Sequence, residues 1–160
     1  MVRPDRPRTA YLDACCYIDW AEGKFSHAAV ETWLAAARGR HVRIFASTVT
    51  FAEARGHGNG PHDAAAEQKI RALLQEPYVS LVDVTRRIGL IARDISIERP
   101  RIKGMDAVHM ATAVFAEAEV FLSRDIKAFA VPEAYRGVWV DEPFEYGGEG
   151  IFPLSPSPSG

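Results

Sequence analysis

Short runs of β-branched and aromatic residues alternate along this chain with longer stretches of helical periodicity, and that alternation restricts the fold more than any other feature. Thr9–Leu12, Val42–Ala46, Val79–Val84, Glu119–Leu122 and Val138–Asp141 read as strands. Ala14–Ala21 reads as a first helix, and Ser26 as the N-cap of a second, with Val30, Trp33, Leu34 and Ala37 on one face and Gly39 at its end. Ser47 reads as the cap of a helix carrying Val49, Ala52 and Glu53. A long helix over His62–Gln75 follows, then one capped by Thr85 with Ile88, Ile91, Ala92 and Ile95 inward, then Met105–Glu117. Strands and helices in alternation specify an α/β fold: a central, mainly parallel sheet of about five strands flanked by helices. A chain of 160 residues suits one such domain. Residues 1–8 read as an N-terminal extension, 9–146 as the domain, and 147–160, where Gly, Pro and Ser dominate, as a disordered tail. Gly56–Pro61 reads as a loop; it follows a helix, so its glycines are not a dinucleotide fingerprint.

In a parallel sheet all strand carboxyl ends share one rim, where ligands collect. Asp13 ends the first strand and Asp125 follows the fourth; Glu53 and Asp106 sit near helix starts between them. Each acid has a plain structural reading. Asp13 and Asp125 suit N-caps, Glu53 mimics a capping box with Thr50, and Asp106 favours the positive end of its helix. Those readings do not account for four acids at the same end of successive βα units. Gathered together, the acids would repel and raise one another's pKa. A hard divalent cation, Mg²⁺ or Mn²⁺, relieves such a cluster and is a common agent of phosphodiester cleavage.

The formal net charge of −2 gives no bulk attraction to nucleic acid, so contact with it needs a local basic stripe. Arg86, Arg87 and Arg93 are one candidate; Arg99, Arg101 and Lys103, just before Asp106, are another. The only cysteines, Cys15 and Cys16, are adjacent, which leaves no disulfide framework, favours a free-thiol core role over a zinc site, and favours a reducing, cytoplasmic setting. No apolar run is long enough to span a membrane. His109 shares a helix face with Asp106 and reads first as a packed, hydrogen-bonded histidine, second as a catalytic base. Asp19 and Glu22 read by default as solvated acids at a helix end, with an approach to the site from the first helix as the alternative; Trp20 and Trp33 read as core, although part of the early helices offers a surface for a partner helix.

Four segments resemble the PIN-domain nuclease family. Tyr11-Leu12-Asp13-Ala14-Cys15-Cys16 is similar to its opening strand and first acid, and Ser47-Thr48-Val49-Thr50-Phe51-Ala52-Glu53 to its second acid segment. Met105-Asp106-Ala107-Val108-His109-Met110-Ala111-Thr112-Ala113 is similar to its third-acid helix, and Phe121-Leu122-Ser123-Arg124-Asp125 to the strand end bearing its fourth acid. The likeness spans about Thr9 to Val140, and the compact length resembles VapC-type toxins of toxin–antitoxin pairs.

The resemblance implies a Mg²⁺- or Mn²⁺-dependent endoribonuclease in which Asp13 and Asp106 bind metal directly, Glu53 binds metal or orients water, and Asp125 holds a second ion or acts through water. It also implies a VapB-like antitoxin as partner, RNA as substrate and a homodimer. The chain departs from the family at Ala14 and Cys15, where small hydroxyl residues are usual. Ser123 and Cys15 remain as candidates for hydrogen bonds behind the acids. Two other readings stand beside this one. In the first, a phosphatase uses Asp13 as nucleophile, although Cys15 stands where such enzymes carry a second acid. In the second, the fold is an inactive protein- or RNA-binding module.

Overall fold

The computed structural model describes residues 1–4, 6–55 and 62–147. The loop expected at Gly56–Pro61 and, beyond Gly147, the expected tail lie outside the described residues. Six strands are present: β1 (Thr9–Leu12), β2 (Arg43–Ser47), β3 (Val79–Val82), β4 (Val120–Leu122), β5 (Glu133–Tyr135) and β6 (Val138–Asp141). They form one sheet in the order β3-β2-β1-β4-β6-β5, parallel throughout except for β5 against β6. The helices are α1 (Ala14–Glu22), α2 (His27–Arg38), α3 (Thr50–Glu53), α4 (Ala64–Leu73), α5 (Arg86–Glu98) and α6 (Met105–Phe115).

Alternation along the strands divides the core in two. Leu12, Ile44 and Leu122 face a cluster with Trp33, Leu34, Ile70 and Leu73 from α2 and α4. Tyr11 and Phe121 face the opposite way, onto Ile88 and Ile95 of α5 and Met110 and Ala111 of α6. Their rings stack with centroids 5.4 Å apart. β1 and β4, at the centre of the sheet, are covered on both faces, which fixes their carboxyl ends relative to the helices that follow.

The expected five strands are all found, and β5 is an addition. It pairs with β6 through a two-residue turn, Arg136-Gly137, in which both φ angles are positive, 48° and 83°. That is the primed hairpin geometry, with arginine in place of the usual Asn or Asp. Two expected caps differ. Ser26 makes no cap hydrogen bond; its hydroxyl donates to Asp19 at 2.6 Å. Ser47 is the last residue of β2, and the helix after it is a single turn; the Ser47 hydroxyl accepts from the Val49 N–H at 3.3 Å. Thr85 does cap α5, accepting from Ile88 N–H at 3.4 Å, and Asp63 rather than His62 opens α4.

Candidate active site

The backbone ladder runs past the end of β1, with Asp13 N–H donating to Leu122 O at 3.0 Å. Asp13 therefore lies where β1 becomes α1, and it is 5% exposed. One carboxylate oxygen accepts from Ala14 N–H at 2.8 Å, as an N-cap; the other accepts from the Ser123 hydroxyl at 2.7 Å. Ser123 in turn accepts from Asp125 N–H at 3.1 Å. One hydroxyl thus binds the first acid to the backbone of the last. Asp125 accepts from Lys127 N–H at 3.0 Å and Ala128 N–H at 3.2 Å, which closes the turn after β4.

α6 brings the other half. Asp106 stands in its first turn and His109 one turn on. His109 is 1% exposed. Its Nδ1 meets the Tyr11 hydroxyl of β1 at 2.5 Å; its Nε2 bonds Glu53 of α3 and lies 3.6 Å from an Asp13 oxygen. Tyr11 also accepts from Ser47 N–H at 3.2 Å. If Tyr11 O–H donates to Nδ1, the Nε2–H donates to Glu53, and the Ser47 N–H, the Tyr11 hydroxyl and both His109 nitrogens all have partners. Burial opposes a charge on His109, but the Glu53 hydrogen bond and the nearby Asp13, with Asp106 behind them, outweigh it and raise its pKa. Burial, then Asp13 and Asp125, push Asp106 up to about 6, Glu53 adding to the rise and His109 opposing it. This coupling is the behaviour expected of anions sharing one basin.

Asp19 departs from the default reading of a solvated acid and follows the alternative, an approach to the site from the first helix. It is 2% exposed, not solvated, and the Arg124 guanidinium grips both its oxygens at 2.8 and 3.0 Å. Ser26 adds a hydroxyl bond to the same carboxylate. Arg124, between Ser123 and Asp125, was not singled out from the sequence. Two signals pointed to the pair: Asp19 stands one helical turn after Cys15, and Arg124 is flanked by two site residues. Cys15 lies inside the site, its sulfur 3.7 Å from the Ser123 hydroxyl and 3.8 Å from Asp13, and it accepts from Arg124 N–H at 3.3 Å. Cys16 is buried and donates to Leu122 O at 3.3 Å. Glu22 is only partly exposed and lies 3.5 Å from the Lys24 ammonium.

Of the basic candidates, Arg101 donates to Lys127 O at 2.7 and 3.1 Å, beside the Asp125 turn. Arg99 is forked onto Glu133 at 2.9 and 3.0 Å and lies over the Tyr135 ring. Lys103 is exposed. A cavity of about 1020 Å³ opens on the opposite rim and is lined by Arg8, Arg38, Arg40 and Arg43 rather than by carboxylates.

Among the described residues no three His, Cys, Asp or Glu side chains stand close enough to cage an ion. Mg²⁺ does not require such a cage, since it keeps several waters and is held by one or two carboxylates plus substrate phosphate. The carboxylates of Asp13, Asp106, Asp125 and Glu53 offer oxygen donors only, a chemistry that suits a hard cation of that kind and suits zinc poorly.

A PIN domain family model matches residues 10–134. No curated protein matches the sequence. Two solved structures share the fold. A chain from a toxin–antitoxin complex of Klebsiella pneumoniae is 22% identical, with a TM-score of 0.61 over 85% of this chain and 98% of that one. A chain from VapBC2 of Rickettsia felis bound to a DNA fragment from its promoter is 14% identical, with a TM-score of 0.60 over 84% and 98%. No helix among the described residues is long and apolar enough to cross a membrane.

Proposed function

We propose, from the premise that this chain belongs to the PIN-domain family, that it is a Mg²⁺- or Mn²⁺-dependent endoribonuclease and the toxin of a toxin–antitoxin pair. The observation that supports the reading is geometric: buried His109 bonds Glu53 and lies 3.6 Å from Asp13, and the Ser123 hydroxyl ties Asp13 to the backbone of Asp125. Four acids with one buried histidine between them make an anionic basin that disfavours an RNA phosphate until a cation is present.

Asp13 and Asp106 are the groups best placed to hold the ion, with Asp125 and Glu53 beside them. When bound, the ion supplies positive charge at the scissile phosphate and makes water a better nucleophile at neutral pH. The chain's own residues do the positioning. Ser123 and Ala14 N–H fix the two oxygens of Asp13. His109 ties one oxygen of Glu53, leaving the other to accept a proton from attacking water. Arg101, on the Asp125 turn, and Lys103 are the candidate phosphate contacts, with Arg99 farther along the same segment.

The partner in this reading is an antitoxin of the kind named in the two structural neighbours, and the proposed working form is a homodimer in a cytoplasmic setting. A phosphatase with Asp13 as nucleophile fits less well, because Cys15, two residues on, stands where such enzymes carry a second acid. The test is digestion of RNA with the purified chain. Cleavage should require Mn²⁺ or Mg²⁺, stop with chelator, and vanish in Asp13→Asn and Asp106→Asn while melting stays cooperative. Cleavage that survives both substitutions would sink the assignment; RNA binding without cleavage under all metals would favour the inactive module.

A further inference from the structure

We propose that Phe25 and Arg124 form a stacking subsite for one unpaired nucleobase of single-stranded RNA, at the edge of the carboxylate basin; this rests on the ribonuclease reading above. Phe25 is 78% exposed, although a phenyl ring in water is unfavourable. It sits in the α1–α2 turn with φ +45°, a conformation that side chains other than Gly, Asn and Asp rarely adopt. The Arg124 guanidinium carbon lies 4.3 Å from its ring centroid. The ring is therefore supported by a planar cation and still open to solvent.

Both halves of the pair are anchored to one buried carboxylate. Arg124 forks onto Asp19. Ser26, the neighbour of Phe25, donates to Asp19 from its hydroxyl at 2.6 Å and from its backbone N–H at 3.3 Å. Lys24 N–H, on the other side of Phe25, donates to the backbone carbonyl of Asp19 rather than to its carboxylate, at 3.0 Å. A surface phenylalanine without a role has no such frame, whereas a stacking platform gains from one, because a rigid ring loses little freedom when a base settles on it. The platform also stands beside the chemistry. Arg124 lies between Ser123, which holds Asp13, and Asp125. Asp19 takes two of the five N–H donors of Arg124, and the side chain is 41% exposed, so donors remain for a base edge or a phosphate oxygen. Single strands are recognised in this way, by bases splayed onto aromatic faces and guanidinium planes.

The test uses the full chain, a single-stranded oligoribonucleotide that it cuts, and the same oligonucleotide made abasic in turn at each position flanking the cut. Phe25→Ala and Phe25→Leu should raise KM by about 5- to 100-fold, the range that loss of one stacked base gives. Their kcat and melting temperature should stay close to the parent's. Phe25→Trp should restore KM, and in an Asp106→Asn background with Mn²⁺ present, where no cutting occurs, its fluorescence should be quenched by the intact oligonucleotide. One abasic position should abolish the difference between the parent and Phe25→Ala. Equal KM for the parent, Phe25→Ala and Phe25→Leu overturns the subsite while leaving the nuclease intact. The subsite is likewise overturned if Phe25→Ala leaves RNA unaffected and weakens only antitoxin binding. Quenching of Phe25→Trp by RNA that the parent never cuts supports the subsite and overturns the nuclease reading. A parent that neither binds nor cuts overturns both.

Discussion

The carboxylate of Asp19 and the guanidinium of Arg124 meet through two hydrogen bonds, 2.8 and 3.0 Å long, across the gap between α1 and the segment that follows β4. The acid is buried and the cation partly exposed. The pair therefore fixes the Ser123–Asp125 segment against the helix that Asp13 caps.

Removing one member should expose how much depends on it. Arg124→Met leaves a buried carboxylate without its cation, a loss of about 2–4 kcal/mol, set below the fully buried case because Arg124 is partly in water. Asp19→Asn with Arg124→Met removes both charges and should recover most of the stability. RNA cleavage should stay low in the single and the double variant, because neither holds Asp125 in place. Urea unfolding of the four proteins in a double-mutant cycle measures the coupling. Additive losses would show that the two side chains do not act as a unit.

Asp106 is the reverse case, a residue that function keeps against stability. Its pKa in the fold, about 6, lies above its ordinary 3.8. Between those values the native protein holds a proton that the unfolded chain has already released. Stability therefore falls as pH rises through that window, and the penalty is complete above it. In chelator at pH near 7.5, Asp106→Asn should be more stable than the parent by about 1 kcal/mol, a figure reduced for the half-exposed side chain. Below pH ~4 the gain should disappear, since the parent is then protonated too. Mn²⁺ should stabilise the parent more than the variant. Thermal melts at the two pH values, with and without metal, decide the matter; a variant less stable at both would place Asp106 outside the repulsive cluster.

What could be read from the sequence was what depends on local pattern. Asp13 ends an apolar run and Asp125 follows one, so their place on the strand-end rim needed only the alternation of strands and helices. Asp19 could not be placed that way, because its partner lies 105 residues along the chain and meets it only once β1 and β4 have paired. Ser26 and Ser47 look like caps in one dimension. In three, the Ser26 hydroxyl goes to Asp19 and the Ser47 N–H goes to Tyr11. The three residues of β5 carry no alternation, and Arg136-Gly137 lacks the Asn-Gly signal, so only its partner β6 was visible. Tyr11 read as an ordinary strand residue, yet its hydroxyl is what orients His109.

That hydroxyl gives a third prediction. Tyr11→Phe keeps the ring stack on Phe121 but leaves His109 Nδ1 and Ser47 N–H, both buried, without their partner. The cost should be about 1–3 kcal/mol in unfolding free energy. The pKa of His109 is raised in the fold, so the stability it contributes is present below its ordinary value and lost as pH rises through the elevated one. Loosening the ring in Tyr11→Phe should shrink that pH dependence and slow RNA cleavage, because Glu53 loses its fixed neighbour. Proton NMR titration of His109 in parent and variant reports the first effect, and single-turnover cleavage the second. An unchanged titration would mean that Tyr11 is only a packing residue.

Cys15 supplies the last prediction, since its sulfur occupies the position where a hydroxyl was expected. It touches Asp13 and Ser123 at sulfur contact distances and accepts from Arg124 N–H. A hydroxyl at the same position makes the same bonds, shorter and somewhat stronger. Cys15→Ser should therefore cut RNA within about tenfold of the parent, the range of one ordinary hydrogen bond. A thiol adduct such as a carbamidomethyl group has no room between Asp13, Ser123 and Arg124, so alkylation should block the parent. Cys16, fully buried against Leu122 O, should react far more slowly. Mass spectrometry of the alkylated protein, set against residual cleavage, separates the two thiols. Loss of activity that tracks Cys15 modification and is absent in Cys15→Ser places the sulfur in the working site, whereas full activity after complete Cys15 alkylation would remove it from there.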